Sequence, residues 1–249
     1  MAHIEEIKDY WNQRAKGFSL AVEEELGSGS AEQWTQIFRE HIDKAGADVL
    51  DDGTGAGFFP VILSRLGHRV TAIDYSDAMV TRAAERFAAL GLTVETRQMD
   101  AQNLEFDDES FDVVVSRNVI WNLDDPAKAY SEIHRVLRPG GKVILDDGNI
   151  YLYQHDEAYA AAREKAMKAR DEDEDSISRR HARNNVDNVD FSIIERIADE
   201  LPMSYTRRPQ WDFHKLVELG FRDIRVIIRG EDLPMGFLIV AQKRVDENH

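Results

Sequence analysis

Residues 51–57 read Asp-Asp-Gly-Thr-Gly-Ala-Gly, between the apolar pair Val49-Leu50 and the apolar stretch 58–63. Glycines at 53, 55 and 57 leave the main chain bare at alternate positions and allow positive φ. A short apolar run, a glycine loop and a helical run in that order define the first strand-to-helix turn of an open α/β sheet. Ligands of such sheets sit beyond the carboxyl ends of the strands, where strand order reverses. The loop lies in that place, so we expect its bare backbone to receive a ligand.

The rest of the chain repeats the alternation. The first forty residues read as helical, with Ile4, Ile7, Tyr10 and Trp11 on one face. Strands follow at 47–52, 68–74, 93–100 and 111–118. Gly67 and Gly91 stop the intervening helices, and Ser76 caps the second. Asp125-Pro126 opens a further helix. Residues 138–141, Arg-Pro-Gly-Gly, read as a turn before a fifth strand, 142–147. The alternation breaks over 150–210, where charge and aromatics dominate and helices are expected at 156–172 and 191–201. A helix from 212 to 219 and two strands forming an antiparallel hairpin close the chain. This order predicts a mostly parallel sheet with helices on both faces.

Three ligand classes compete for the loop. A nucleoside-triphosphate loop requires G-x-x-x-x-G-K-[ST], which is absent. A dinucleotide fingerprint requires glycine at 58, where Phe58 stands. The observed D-x-G-x-G-x-G begins with Asp51, an anion that disfavours pyrophosphate and suits an ammonium or sulfonium. In this form the segment resembles motif I of the class I S-adenosylmethionine-dependent methyltransferases, and the resemblance runs in order from about 45 to 147. It implies a Rossmann-like doubly wound sheet of seven strands, mostly parallel, with an antiparallel C-terminal hairpin and a helical cap insertion. The cofactor implied is S-adenosyl-L-methionine, with S-adenosyl-L-homocysteine as product.

Carried over position by position, the resemblance puts Asp51, Gly53, Thr54, Gly55 and Gly57 along the methionine half of the cofactor. Asp74, with two acceptor oxygens, falls where the family grips the ribose hydroxyls. Tyr75 and Met79 fall beside the adenine, and Asp100 and Ala101 fall at its amino group and edge. Asn118 follows the fourth strand. The stretch 10–19 resembles a helix that closes the cofactor pocket, implicating Tyr10 and Arg14.

Methyl transfer from a sulfonium needs alignment and dryness more than a dedicated catalytic group, so no catalytic residue carries over. His155, Trp121 and Asn118 are candidates. Substrate candidates are Trp11, Phe18, Trp121, Asn149 and the cationic-aromatic group Arg207, Arg208 and Trp211. Asp146, Asp147 and Asn149 offer oxygen atoms as magnesium-dependent relatives do. The further acid those relatives place after the fourth strand is replaced by Ser116-Arg117-Asn118, so no metal is expected.

Composition narrows the partners. Against 31 basic residues stand 47 acidic ones, a net charge of −16, which repels polyphosphate and counts against nucleic acid. No cysteine is present, excluding thiolate chemistry. No apolar stretch is long enough for a membrane span or a secretory leader. The expectation is a cytoplasmic monomer or homodimer in which 1–249 forms a single methyltransferase domain acting on a small-molecule acceptor. Its parts are an N-terminal helical cap (1–44), a cofactor-binding core (45–150), a cap insertion (151–210) and a C-terminal helix and hairpin (211–249). Three alternatives stay open: an NAD-dependent oxidoreductase, a non-catalytic S-adenosylmethionine-binding protein, and a methyltransferase acting on RNA or protein. The acidic run 170–175 reads as a solvated helix end.

Overall fold

A computed structural model describes residues 3–170, 183–230 and 233–245; nearly all of the acidic run 170–175 lies outside them. Seven strands form one sheet: β1 (Asp48–Asp52), β2 (Arg69–Asp74), β3 (Glu95–Gln98), β4 (Phe111–Arg117), β5 (Leu137–Gly148), β6 (Phe221–Arg229) and β7 (Gly236–Lys243). Their order is β3-β2-β1-β4-β5-β7-β6. The first five run parallel, and β7 pairs antiparallel with both β5 and β6. The strand order therefore reverses between β1 and β4, and the glycine loop leaves the sheet at that point.

The described helices are α1 (Ile4–Leu26), α2 (Gly29–His41), α3 (Phe58–Arg65), α4 (Asp77–Ala89), α5 (Pro126–Val136), α6 (Glu157–Arg170), α7 (Ser192–Ala198) and α8 (Gln210–Glu218). Local chemistry sets several boundaries. Ser28 interrupts the N-terminal helical stretch and caps α2 by accepting from Ser30 N–H. Ser76 Oγ accepts from Met79 N–H at 3.1 Å and starts α4. Asp125 caps α5, with Pro126 in its first turn. One expectation needs correction. Residues 138–141 are not a free turn but an irregularity inside β5, across which the pairing jumps from Phe111↔Leu137 to Val113↔Lys142. Gly140 supplies the positive φ of 78° that this bulge requires.

Strand alternation divides the core. Val49, Val115 and Ile144 face Phe38 and Phe59 of α2 and α3. Leu50, Val114 and Leu145 face Ile133 and Leu216 of α5 and α8. A third cluster joins Ile7 and Tyr10 of α1 to Trp121 and to Ile194, Ile197 and Leu201 of the cap. Burial of each such aliphatic side chain contributes roughly 1.5–3 kcal/mol. That third cluster holds α1 across the carboxyl ends of the strands.

A buried polar network secures the cap to β5. Arg208 is fully buried, with Asp147 at 2.9 Å and Asp212 at 2.6 Å. Tyr130 Oη donates to Asp212 at 2.6 Å, and Asn149 Nδ2 donates to the Arg208 carbonyl at 2.7 Å. Removing the guanidinium would leave two buried carboxylates uncompensated. Arg208→Ala should therefore lower unfolding stability by about 3–5 kcal/mol, read as a shift of the urea midpoint. A loss below about 1 kcal/mol would show that water replaces the guanidinium.

Candidate active site

The glycine loop is sewn to β2 by its own amides. Gly53 and Thr54 N–H both donate to the Ile73 carbonyl, at 3.0 and 2.7 Å. Gly55 N–H donates to Asp74 Oδ2 at 2.8 Å, and Ser76 N–H donates to Oδ1 at 2.9 Å. Gly53, Gly55 and Gly57 adopt φ of 78°, 52° and 89°. A Cβ at Gly53 would lie 2.1 Å from Val119 Cγ2, and one at Gly55 would lie 2.9 Å from Phe18 Cε1. One at Gly57 would lie 2.7 Å from the Phe87 ring. The glycines are thus demanded by backbone conformation and by close packing of the protein's own side chains, beyond any need to admit a ligand.

Above the loop, α1 roofs a cleft of about 300 Å³ across the ends of β1, β2 and β4, within the range of small-molecule sites. Of the residues expected at the cofactor, Asp51, Gly53, Thr54, Gly55, Asp74, Tyr75, Met79, Asp100, Ala101 and Asn118 all border it. So do Trp11, Phe18 and Trp121. Asn118 holds a left-handed φ of 57°, which asparagine tolerates better than most residues, at the point where β4 turns toward the cleft. Gly57 sits behind the loop, at the start of α3.

Other expected residues lie elsewhere. Tyr10 and Arg14 are buried between α1 and the cap: Arg14 Nη1 donates to Asn185 Oδ1 at 3.0 Å, and the guanidinium stacks 4.7 Å from the Phe191 ring. The structure thus gives Arg14 the work of clamping α1. His155 pairs with Asp199 at 3.0 Å and stacks on Tyr205, away from the cleft. Arg207 pairs with Asp156 on the surface. Arg208 and Asn149 belong to the buried network, and Trp211 packs edge-on against Tyr130. The cationic-aromatic group at 207–211 is therefore a strut of the cap and does not meet the cleft. Asp146 pairs with Arg229 at 2.7 Å, and Asp147 faces Arg208, so guanidinium groups stand where a metal on these carboxylates would sit.

Burial dominates the electrostatics of the cleft floor. It pushes the Asp51 carboxyl up to about 7, with the Thr54 hydroxyl pulling it down and the Asp74 charge raising it. Burial pushes Asp52 up to about 8, helped by Asp51, Asp74 and Asp100. Asp74 rises to about 6 through burial, opposed by the amides of Ser76 and Gly55. Asp51 Oδ2 and both oxygens of Asp52 have no hydrogen-bond partner among the described residues. Such a floor suits a ligand that donates hydrogen bonds and carries positive charge.

Residues 25, 52 and 117 border the cleft and escaped sequence reasoning. Arg117, at the end of β4, donates from Nη2 to Glu25 of α1 at 2.8 Å and lies 5.0 Å from the Phe58 ring. This pair is a second tie between α1 and the sheet. Asp52 carried a readable signal: an acid directly after Asp51, at the end of a strand whose interior is Val49-Leu50.

Residues 50–145 match a family model described as "Methyltransferase domain". A protein named phosphatidylethanolamine N-methyltransferase, from Cereibacter sphaeroides, is 38% identical over 131 residues, covering 51% of this chain and 61% of that protein. One named demethylmenaquinone methyltransferase, from Clavibacter sepedonicus, is 37% identical over 121 residues, covering 48% of this chain and 49% of that protein. These two matches thus span about half to three-fifths of the curated relatives' own length. A solved S-adenosylmethionine-dependent methyltransferase from Aquifex aeolicus superposes with a TM-score of 0.54 at 22% identity, covering 83% of this chain and 87% of that one, and shares the fold. Residues 50–145 therefore match a methyltransferase domain, and the chain shares the fold of solved S-adenosylmethionine-dependent methyltransferases.

The raised carboxyls set a pH dependence. Asp51, Asp52 and Asp74 bind protons in the folded, ligand-free protein at pH values where the unfolded chain has released them. Their stabilising contribution is full below about pH 4 and is lost as pH rises through about 6, 7 and 8. His41, His68 and His134, lowered by burial, act oppositely, but only below their ordinary 6.5. The thermal midpoint of the ligand-free protein should therefore fall from about pH 6.5 and level off above about pH 8. A flat or rising midpoint by scanning calorimetry over that interval would show these acids to be ionised in the folded state.

Proposed function

We propose that the protein transfers the methyl group of S-adenosylmethionine to a small-molecule acceptor by in-line displacement. One observation carries this reading. The bare loop at Gly53–Gly55, the acids Asp51 and Asp52, with three carboxylate oxygens unpartnered among the described residues, and the strand-end acid Asp74 converge on a single cleft beneath α1. The methyltransferase-domain match over the same residues supports it.

When bound, the cofactor supplies an activated methyl on a sulfonium, so the protein's work is placement and exclusion of water. Each Asp74 oxygen already accepts one backbone amide and retains a lone pair for a ribose hydroxyl. Tyr75, Met79 and Ala101 provide faces for a base, with Asp100 beside them. Asp51 and its neighbours answer positive charge. The cleft also carries apolar side chains, Phe18, Val22, Phe58, Phe59 and Ile150, and the Arg117–Glu25 pair. It suits an acceptor with an apolar body. The names of the relatives, which speak of a phospholipid and of a menaquinone precursor, agree with that class. Asn118 and Trp121 border the cleft and would orient the acceptor atom, whereas His155, paired with Asp199, does not border it.

Calorimetric titration with S-adenosylhomocysteine tests the reading. Wild type should bind, and Asp74→Ala should weaken binding at least tenfold, because hydrogen bonds to a charged acceptor contribute about 1.5–3 kcal/mol. Absence of binding by folded wild type would refute the assignment. An unchanged affinity in the variant would remove Asp74 from the site.

A further inference from the structure

Asp52 occupies the variable second position of the D-x-G-x-G-x-G loop, so the family resemblance gives it no role. Its side chain is fully buried at the end of β1 and borders the cleft. Neither carboxylate oxygen has a partner among the described residues. A buried carboxylate left in that state costs several kcal/mol unless it is protonated or meets a cation. An apolar residue would satisfy the packing on the Leu50 side of the strand without this cost.

The charged groups around it define what it can meet. Asp51 on its own strand, Asp74 at the end of β2 and Asp100 beyond β3 all add negative charge. Arg117, at the end of β4, and Lys8, on α1, also border the cleft. Both have carboxylates of their own, Arg117 with Glu25 and Lys8 with Asp77 at 3.8 Å. No cation of the described chain pairs with Asp52 itself.

We propose that Asp52 is a specificity-determining charge beneath the cleft floor that makes the cleft favour a cationic donor over its neutral product. The inference rests on the S-adenosylmethionine reading above. The donor carries a sulfonium charge, and ionised Asp52 is the complementary group. On transfer to an acceptor X–H, the carbon–sulfur bond breaks and its electron pair stays on sulfur. The X–CH3 bond forms, and the proton of X–H passes to solvent. Sulfur becomes a neutral thioether, so the carboxylate loses its opposing charge and takes up a proton from solvent. The sulfonium and Asp52 charges therefore vanish together, and the product is left facing a neutral acid with which it has no charge interaction. Binding of fresh donor reverses the protonation and favours displacement of product.

The test is calorimetric titration of wild type and Asp52→Asn with S-adenosylmethionine and with S-adenosylhomocysteine. It is run at pH 7.5 in two buffers of different ionisation enthalpy, which reports the protons released. Wild type should release more protons with the sulfonium compound than with the thioether. Asp52→Asn should weaken the sulfonium compound about tenfold and the thioether less than about twofold, and should abolish the difference in proton release. Equal weakening of both ligands, or wild-type proton release that is the same for both, would overturn the proposal. Should Asp52→Asn fail to fold, Asp52→Leu, which removes the partnerless acid in favour of an apolar side chain, is expected to fold and to show the same loss of preference. Wild type that binds neither compound would instead refute the donor reading itself. Binding of both with preference intact in the variants removes Asp52 alone.

Discussion

The hydrogen bond from Gly55 N–H to Asp74 joins the first glycine loop to the end of the second strand, and the site is built outward from it. With the Gly53 and Thr54 amides on the Ile73 carbonyl, it fixes the loop at positive φ and turns its remaining backbone toward the crevice. The same carboxylate receives Ser76 N–H, and Ser76 in turn caps α4. One acid thus positions the loop, begins the adjacent helix and keeps acceptor capacity facing the cleft. No rearrangement of these three elements is possible without giving up buried hydrogen bonds.

Around this fixed floor, α1 is a roof held from both ends. Its N-terminal half packs Ile7 and Tyr10 into the cap, with Arg14 engaging Asn185. Its C-terminal half is tied by Glu25 to Arg117. Gly17 permits the cap to come close, since a Cβ there would lie 2.1 Å from the Asn184 carbonyl oxygen. Arg208, buried against Asp147 and Asp212, anchors the cap to β5. Arg14, Asn185 and Arg208, which do not border the cleft, therefore help to hold its roof in place. Excluding water beneath such a roof strengthens every charge interaction on the floor.

Local chemistry was legible in the sequence, and long-range pairing was not. The strand–loop–helix order, the Ser76 cap, the Asp125-Pro126 start and the C-terminal hairpin all follow from residues within a few positions of one another. The carboxyl-end acids Asp51, Asp74 and Asp100 converge because a parallel sheet brings successive strand ends to one edge. The group at 207–211 misleads because its meaning depends on Asp147 and Tyr130, far away in the chain. The same holds for Arg14, whose partner Asn185 lies in the cap, and for Arg117, whose partner Glu25 lies in α1. Arg-Pro-Gly-Gly has the residues of a turn, yet the pairing of β5 with β4 resumes on either side and makes it a bulge.

A crystal structure with S-adenosylhomocysteine bound is the most direct measurement. The nucleoside should lie under α1, its two ribose hydroxyls on Asp74 and its amino-acid end along the backbone of Gly53 to Gly55. A nucleoside bound outside this crevice, or one whose ribose faces away from Asp74, would contradict the assignment.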